Sequence, residues 1–408
     1  MTASNAHRVQ DEGGSNTAFD VSFPGWPSFG ADERLAVDAV LASGKVNYWT
    51  GEQGREFERE YSAALGVKRA IALMNGTVAL ELPLLLWGIG PGDEVIVTPR
   101  TFIASISCVI LQGARPVFAD IDRDSGNLTA RTIEPVLSPR TKAIVPVHLG
   151  GWPCEMDDIM TMAKAGGIKV IEDCAQAHGA AYKGRPVGAI GDAGAFSFCQ
   201  DKIITTGGEG GLLAVDDEDL WSRAWSFKDH GKSYDAVHRR QHPPGFRWLH
   251  ESFGTNWRMT ELQAAIGRIQ LRTLPGWIEK RGANAELLHA GLGTIPGLRI
   301  PRPPLHSRHA YYRFYAYVET EKLRNGWNRD RVMAEVAERG VPCFSGSCSE
   351  AYLEKAFEQT SYRPLSRLPA ARELGESSLA LLVHPTLDAG HMAKTIDVVR
   401  SVMADAIR

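Results

Sequence analysis

From about residue 30 onward, short apolar runs alternate with amphipathic stretches, and this alternation restricts the possible folds more than any other feature of the chain. The runs AIALM, EVIVTP, RPVFADI, KAIVPVHL, IKVIED and GAFSF each have the length and composition of a buried strand. Helical stretches such as TVALELPLLLWGIG and CEMDDIMTMAKAGG lie between them, and DERLAVDAVLASG and GREFEREYSAALG precede them, stopped by Gly44 and Gly66. Strands separated by helices pair in parallel, with the helices covering both faces of the sheet. An α/β fold follows, with its ligand expected beyond the carboxyl ends of the strands.

The pattern changes near residue 260. MTELQAAIGRIQLRTLPGWIEKRGANAELLHAGL predicts a long helical stretch interrupted at Pro275, joining two domains. The aromatic strand HAYYRFYAYV and the helix DRVMAEVAERG then predict a small α+β domain. The expected division is a flexible tail over 1–22, a large domain over 23–258, and a linker helix with the small domain over 259–408. Tyr234 to Glu251, with His238, Arg239, Arg240, His242, Pro243 and Pro244, reads as a long loop.

The formal net charge is −3, with both signs dispersed, so no basic stripe marks a nucleic-acid or membrane partner. A small-molecule substrate is expected. The six cysteines, Cys108, Cys154, Cys174, Cys199, Cys343 and Cys348, are scattered without a CxxC pair. Reduced thiols of a cytoplasmic protein are expected, with no disulfide framework and no metal. Residues 1–20 have no apolar core of a signal peptide, and the run Ile103 to Leu111 is too short to span a bilayer.

Four motifs fall where this fold places chemistry. In NGTVAL, Asn75 to Leu80, a strand runs into Gly76 and Thr77 and opens a helix, whose free N–H groups suit a phosphate; an ordinary helix cap explains the same residues. In VIEDCAQAHGA, Asp173 ends a buried strand, and a buried carboxylate needs a cationic or donor partner. A protonated heterocyclic nitrogen or a salt bridge would serve. Gln176 and His178 follow, either facing a ligand or packed. In GAFSFCQDKIITTGGEGGLL, Lys202 stands between a strand carrying Ser197 and a glycine-rich turn, a setting that suits a lysine enclosed by a ligand. The turn lacks the GK[ST] ending of a Walker loop. In GTNWRMTELQAAIGRIQL, Asn256 and Arg258 precede a helix, where Thr255 or Asn256 could cap and Arg258 could pair with an acid.

Taken in order, GPGDEVIVTPRTFIAS, PVFADID, IEDCAQAHGA, FSFCQDK with GGEGG, and NWRMTELQAAIGRIQL resemble the DegT/DnrJ/EryC1/StrS family of sugar aminotransferases. The resemblance runs from about Phe23 to the C-terminus. It implies the pyridoxal-phosphate-dependent fold type I: a mainly parallel seven-stranded sheet flanked by helices, plus a small C-terminal α+β domain. It also implies that Lys202 binds pyridoxal 5'-phosphate as a Schiff base and that Asp173 keeps the pyridine nitrogen protonated. Phe102 stacks on the ring, with core packing as its alternative; Gln176 lies near the ring; Gly76, Thr77 and Ser197 hold the phosphate. The resemblance further implies that Asn256 reaches the phosphate of a neighbouring subunit, which would make the protein a homodimer with shared sites.

His309, Tyr311, Tyr312, Ser347 and Glu350 match regions that meet substrate, with a buried aromatic strand as the alternative for the tyrosines. Arg247, with Arg239 and Arg240, could meet the diphosphate of a nucleotide sugar, with solvated loop charge as the alternative. The implied reaction moves an amino group from glutamate to a nucleotide-linked keto-deoxysugar, 4-keto rather than 3-keto, for surface polysaccharide or a glycosylated metabolite. Two alternatives are an aminodehydratase of the aminohydroxybenzoate synthase type and a non-catalytic ligand-binding protein of the same fold.

Overall fold

The computed structural model describes residues 21–241, 245 and 247–408. Residues 1–20 of the expected tail, and His242, Pro243 and Pro244 of the expected loop, lie outside the described residues. Val21 and Ser22 pack on the C-terminal helix Ala389–Ala406, where their carbonyls accept hydrogen bonds from Lys394 Nζ (2.9 Å) and His391 Nε2 (3.1 Å).

The main sheet has seven strands in the order Arg69–Leu73, Gly211–Val215, Ala193–Ser197, Lys169–Asp173, Thr141–Val145, Glu94–Val97 and Arg115–Phe118. All run parallel except Gly211–Val215, which lies antiparallel to both of its neighbours. The six expected apolar runs form the six parallel strands. The seventh, GLLAV, read from sequence only as the end of the glycine-rich turn, and every one of its residues is buried. Helices Gly76–Leu86 and Met156–Gly166 cover the sheet where helical stretches were expected, and the short apolar run Ala104–Leu111 forms another helix.

The long helix runs from Glu261 to Leu292 without a break. Pro275 removes one backbone donor from 32 residues, which does not terminate a helix packed along much of its length. Its N-cap is Thr260, whose side chain reciprocates with Gln263, and neither Thr255 nor Asn256 takes that role. Beyond it lies a four-stranded antiparallel sheet of Leu298–Arg299, Phe314–Val318, Ser378–Leu381 and Cys343–Phe344. The aromatic strand begins only at Phe314, because Tyr311 takes a left-handed backbone (φ 46°) that breaks the extension. The expected loop holds one short helix, Tyr234–His238. No helix among the described residues is long and apolar enough to cross a membrane.

Candidate active site

The carboxyl ends of the central strands open into a cleft of about 590 Å³, lined by Thr101, Phe102, Gln176 and Lys202 on one side and by Tyr312, Arg313 and Ser347 on the other. Lys202 follows the strand Ala193–Ser197, and its side chain is mostly covered, with Nζ 3.6 Å from Asp201 Oδ1. Its backbone carbonyl is held by the Trp26 indole N–H at 2.8 Å. Asp201 in turn accepts a hydrogen bond from the Tyr312 hydroxyl.

Asp173 ends the strand Lys169–Asp173 and is buried. Ser105 Oγ donates to it at 2.7 Å and the Ala175 N–H at 3.0 Å, but no cation lies within salt-bridge distance among the described residues. Burial pushes its carboxyl above the ordinary range, with the two donors and the charge of Lys202 acting against that rise. A carboxylate in this position favours a protonated nitrogen beside it.

The third corner is a helix end. Asn75 Oδ1 caps Gly76–Leu86 by accepting from the Val78 N–H at 3.0 Å, which leaves the Gly76 and Thr77 N–H groups for another acceptor. A Cβ on Gly76 would lie 2.5 Å from Ser197 Cβ, so only glycine lets the helix end press against the Ser197 hydroxyl. Free N–H groups, a positive helix end and a hydroxyl together form an anion cradle.

Phe102 is 70% exposed and faces the cleft, so it is not part of the core. Gln176 is buried; its Oε1 accepts from the Gly150 N–H (2.7 Å) and its Nε2 donates to Ser347 Oγ (3.2 Å), tying the two walls together. His178 is packed: it bonds the Tyr61 hydroxyl at 2.7 Å and the Ser197 carbonyl at 2.8 Å. Burial lowers its pKa to about 4.

Other expected residues lie elsewhere. His309 stacks on Tyr311 with ring centroids 4.0 Å apart and lines a neighbouring groove rather than the Lys202 cleft. Arg247 is exposed and does not line the cleft. Arg239 and Arg240 pair with Asp235 (3.0 Å) and Glu251 (2.5 Å), as solvated loop charge does. Glu350 is bound by Arg367 at 2.9 Å and by the Tyr352 hydroxyl at 2.6 Å. Asn256 is exposed and absent from its own chain's cleft, while Arg258 pairs with Asp229 at 2.7 Å.

The fold also gathers His148, Glu172 and Cys174, which sequence spacing did not suggest. His148 Nδ1 accepts from the Cys154 N–H at 3.0 Å, so Nε2 carries the proton shared with Glu172 at 3.0 Å. Both ring nitrogens are thereby engaged, and His148 and Glu172 form a buried hydrogen-bonded pair beside Cys174. The cysteines are free thiols: four are buried, Cys199 is half-buried and Cys348 is exposed.

Sequence reading missed Ser105, Asp201 and Arg313. Ser105 sits at helical spacing inside an apolar run, and Asp201 and Arg313 look like surface charges until the two walls of the cleft meet.

The arrangement fits pyridoxal phosphate: an exposed aromatic face and an enclosed lysine line the cleft, a buried carboxylate lacking a cation is held behind it by Ser105, and the strand leading to Lys202 ends at the anion cradle. A model of the DegT/DnrJ/EryC1/StrS aminotransferase family matches residues 27–400. The spore coat polysaccharide biosynthesis protein SpsC of Bacillus subtilis is 34% identical over 380 residues, 93% of this chain and 96% of SpsC. The solved aminotransferase from Psychrobacter cryohalolentis is 55% identical with a TM-score of 0.92, covering 94% of this chain and 99% of that one. S. venezuelae DesV, solved in complex with a ketimine intermediate, is 33% identical with a TM-score of 0.82, covering 91% and 94%.

Proposed function

Because the chain belongs to the DegT/DnrJ/EryC1/StrS aminotransferase family and is therefore a pyridoxal-phosphate-dependent aminotransferase, we propose that it aminates a nucleotide-linked keto-deoxysugar, at a 4-keto rather than a 3-keto position, with glutamate as donor. The observation that carries the reading is the enclosed Lys202 in the cleft with the buried, cation-free Asp173 near enough to feel its charge. SpsC, named for polysaccharide biosynthesis, supports a sugar acceptor and a role in surface polysaccharide.

When bound, the cofactor supplies an electron sink that stabilises negative charge on the substrate carbon losing its proton. Asp173 would hold the pyridine nitrogen protonated, the opposite charges favouring that state. Gly76, Thr77 and Ser197 would hold the phosphate, Phe102 would cover one ring face, and Gln176 would brace the wall beside it. Lys202 would anchor the cofactor and, once displaced by the incoming amine, move the proton through its Nζ. Tyr312 keeps Asp201 beside that Nζ. Asn256 would complete the phosphate site of a partner subunit in a homodimer, and its exposure outside its own cleft supports this role. Free thiols throughout suit a cytoplasmic enzyme.

The test is incubation of the loaded enzyme with glutamate and a panel of nucleotide-linked 3-keto and 4-keto sugars, with products identified by mass. A product in which the 4-keto oxygen is replaced by an amine is expected. Amination confined to 3-keto sugars would overturn the positional assignment, and an aromatic product from a cyclic ketone would place the chain with the aminodehydratases.

A further inference from the structure

Arg313 enters the cleft at the start of the strand Phe314–Val318, opposite Lys202. Its guanidinium lies over the Tyr312 ring (5.0 Å to the centroid) and the Phe344 ring (5.7 Å). These contacts fix a flat cation in place without using its N–H donors. Only 23% of the side chain is exposed, yet no hydrogen bond reaches the guanidinium from the described residues. Its nearest acid, Asp201, is 4.0 Å away, beyond hydrogen-bond range, and already serves Tyr312 and Lys202. The other arginines considered above have partners or stand in solvent. Arg313 is pinned and largely covered, and its N–H donors are left for an acceptor that enters the cleft.

We propose that Arg313 is the carboxylate anchor of the cleft and holds the amino donor through a forked guanidinium–carboxylate contact. The proposal rests on the reading that glutamate is the donor. Three considerations select a carboxylate. A planar guanidinium matches a planar carboxylate at two points. Lys202, Arg313 and Asp201 together leave one net positive charge, although Glu354 also lines the cleft and limits it. Position decides between donor and acceptor: Lys202 Nζ and the Arg313 guanidinium share the Tyr312 ring, at 5.1 and 5.0 Å. In an amino acid the carboxylate is one bond from the carbon bearing the amine. In a nucleotide sugar the diphosphate is several bonds from the keto carbon.

The experiment uses loaded wild-type, Arg313→Gln and Arg313→Lys enzymes. Calorimetric titration with glutarate, a dicarboxylate with no amine to transfer, reads binding apart from turnover. Absorbance changes on adding glutamate read the donor half-reaction, and addition of a keto sugar to the aminated cofactor form reads the acceptor half-reaction. Arg313→Gln is expected to weaken glutarate and glutamate at least about tenfold, with Arg313→Lys recovering part of the loss. The acceptor half-reaction is expected to change less than about threefold, since a guanidinium that holds the donor carboxylate makes no forked contact in that step. Unchanged glutarate binding in Arg313→Gln, or an equal loss in both half-reactions, overturns the anchor. If wild-type enzyme ignores glutamate but still binds glutarate through Arg313, the donor reading fails and the anchor stands.

Discussion

His178 shows how a single buried group ties the site to the stability of the fold. It stands as a neutral ring between the Tyr61 hydroxyl and the Ser197 carbonyl, and so steadies the strand end that carries Ser197. Its folded pKa of about 4 lies below the ordinary histidine value of about 6.5. The unfolded chain therefore takes up a proton first as pH falls. Its stabilising contribution is complete above about pH 6.5 and is lost progressively as pH falls toward about 4. His309 and His384, both lowered to about 3 by burial, act with the same sign. Melting temperature should drop between pH 7 and pH 5, and His178→Gln should make that drop shallower without abolishing it. An unchanged slope in thermal melts would show that His178 does not carry the effect. Residues of this scale were unequally legible. Lys202 and Asp173 stand out because their local setting is unusual for a charged side chain. Ser105, which reaches Asp173 across 68 positions, and the Gln176–Ser347 bond across 171, leave no local trace.

Helices were legible where their own sequence stops or starts them, and less so where tertiary partners do that work. Gly44 and Gly66 end their helices in the left-handed conformation, as read. The start of Gln53–Leu65 is different: its N-cap, Glu52, makes no side-chain bond. The cap comes instead from Glu261, the first residue of the long helix, whose carboxylate accepts from the Gln53 N–H at 2.5 Å and the Gly54 N–H at 3.0 Å. Glu261 is 1% exposed, and a Cβ at Gly51 would collide with its carboxylate. One residue thus joins two helices, a connection no window of sequence contains. Glu261→Ala leaves buried donors without a partner, and should cost about 1–3 kcal/mol in denaturant unfolding. Thr260→Ala removes only an exposed cap and should cost about 1 kcal/mol. If the two variants unfold alike, Glu261 is no more than the start of its own helix. Pro275 and the antiparallel strand Gly211–Val215 were misread for the same reason, since packing around them overrides a local signal.

At the scale of the whole molecule, six of the seven main-sheet strands followed from apolar spacing, but spacing says nothing about which exposed surface meets a second copy. Asn256 stands outside its own cleft, on a segment where Phe253 is 100% and Trp248 81% exposed. Large apolar side chains bared beside a polar residue of the site motif favour a partner surface over solvent. A two-fold dimer makes the contact reciprocal, so each cleft would hold Lys202 of one subunit and Asn256 of the other. The consequence can be measured by mixing. Lys202→Ala and Asn256→Ala proteins should each be inactive alone, the second through loss of cofactor affinity. In a hybrid dimer one cleft then carries both defects and the other carries neither. Random exchange puts about half of the dimers in hybrid form with one intact site of two, so about a quarter of wild-type activity should return. If Asn256 served its own subunit, every cleft in the mixture would carry a defect. Exchange proven by mass, with no recovered turnover, would place Asn256 outside the shared site.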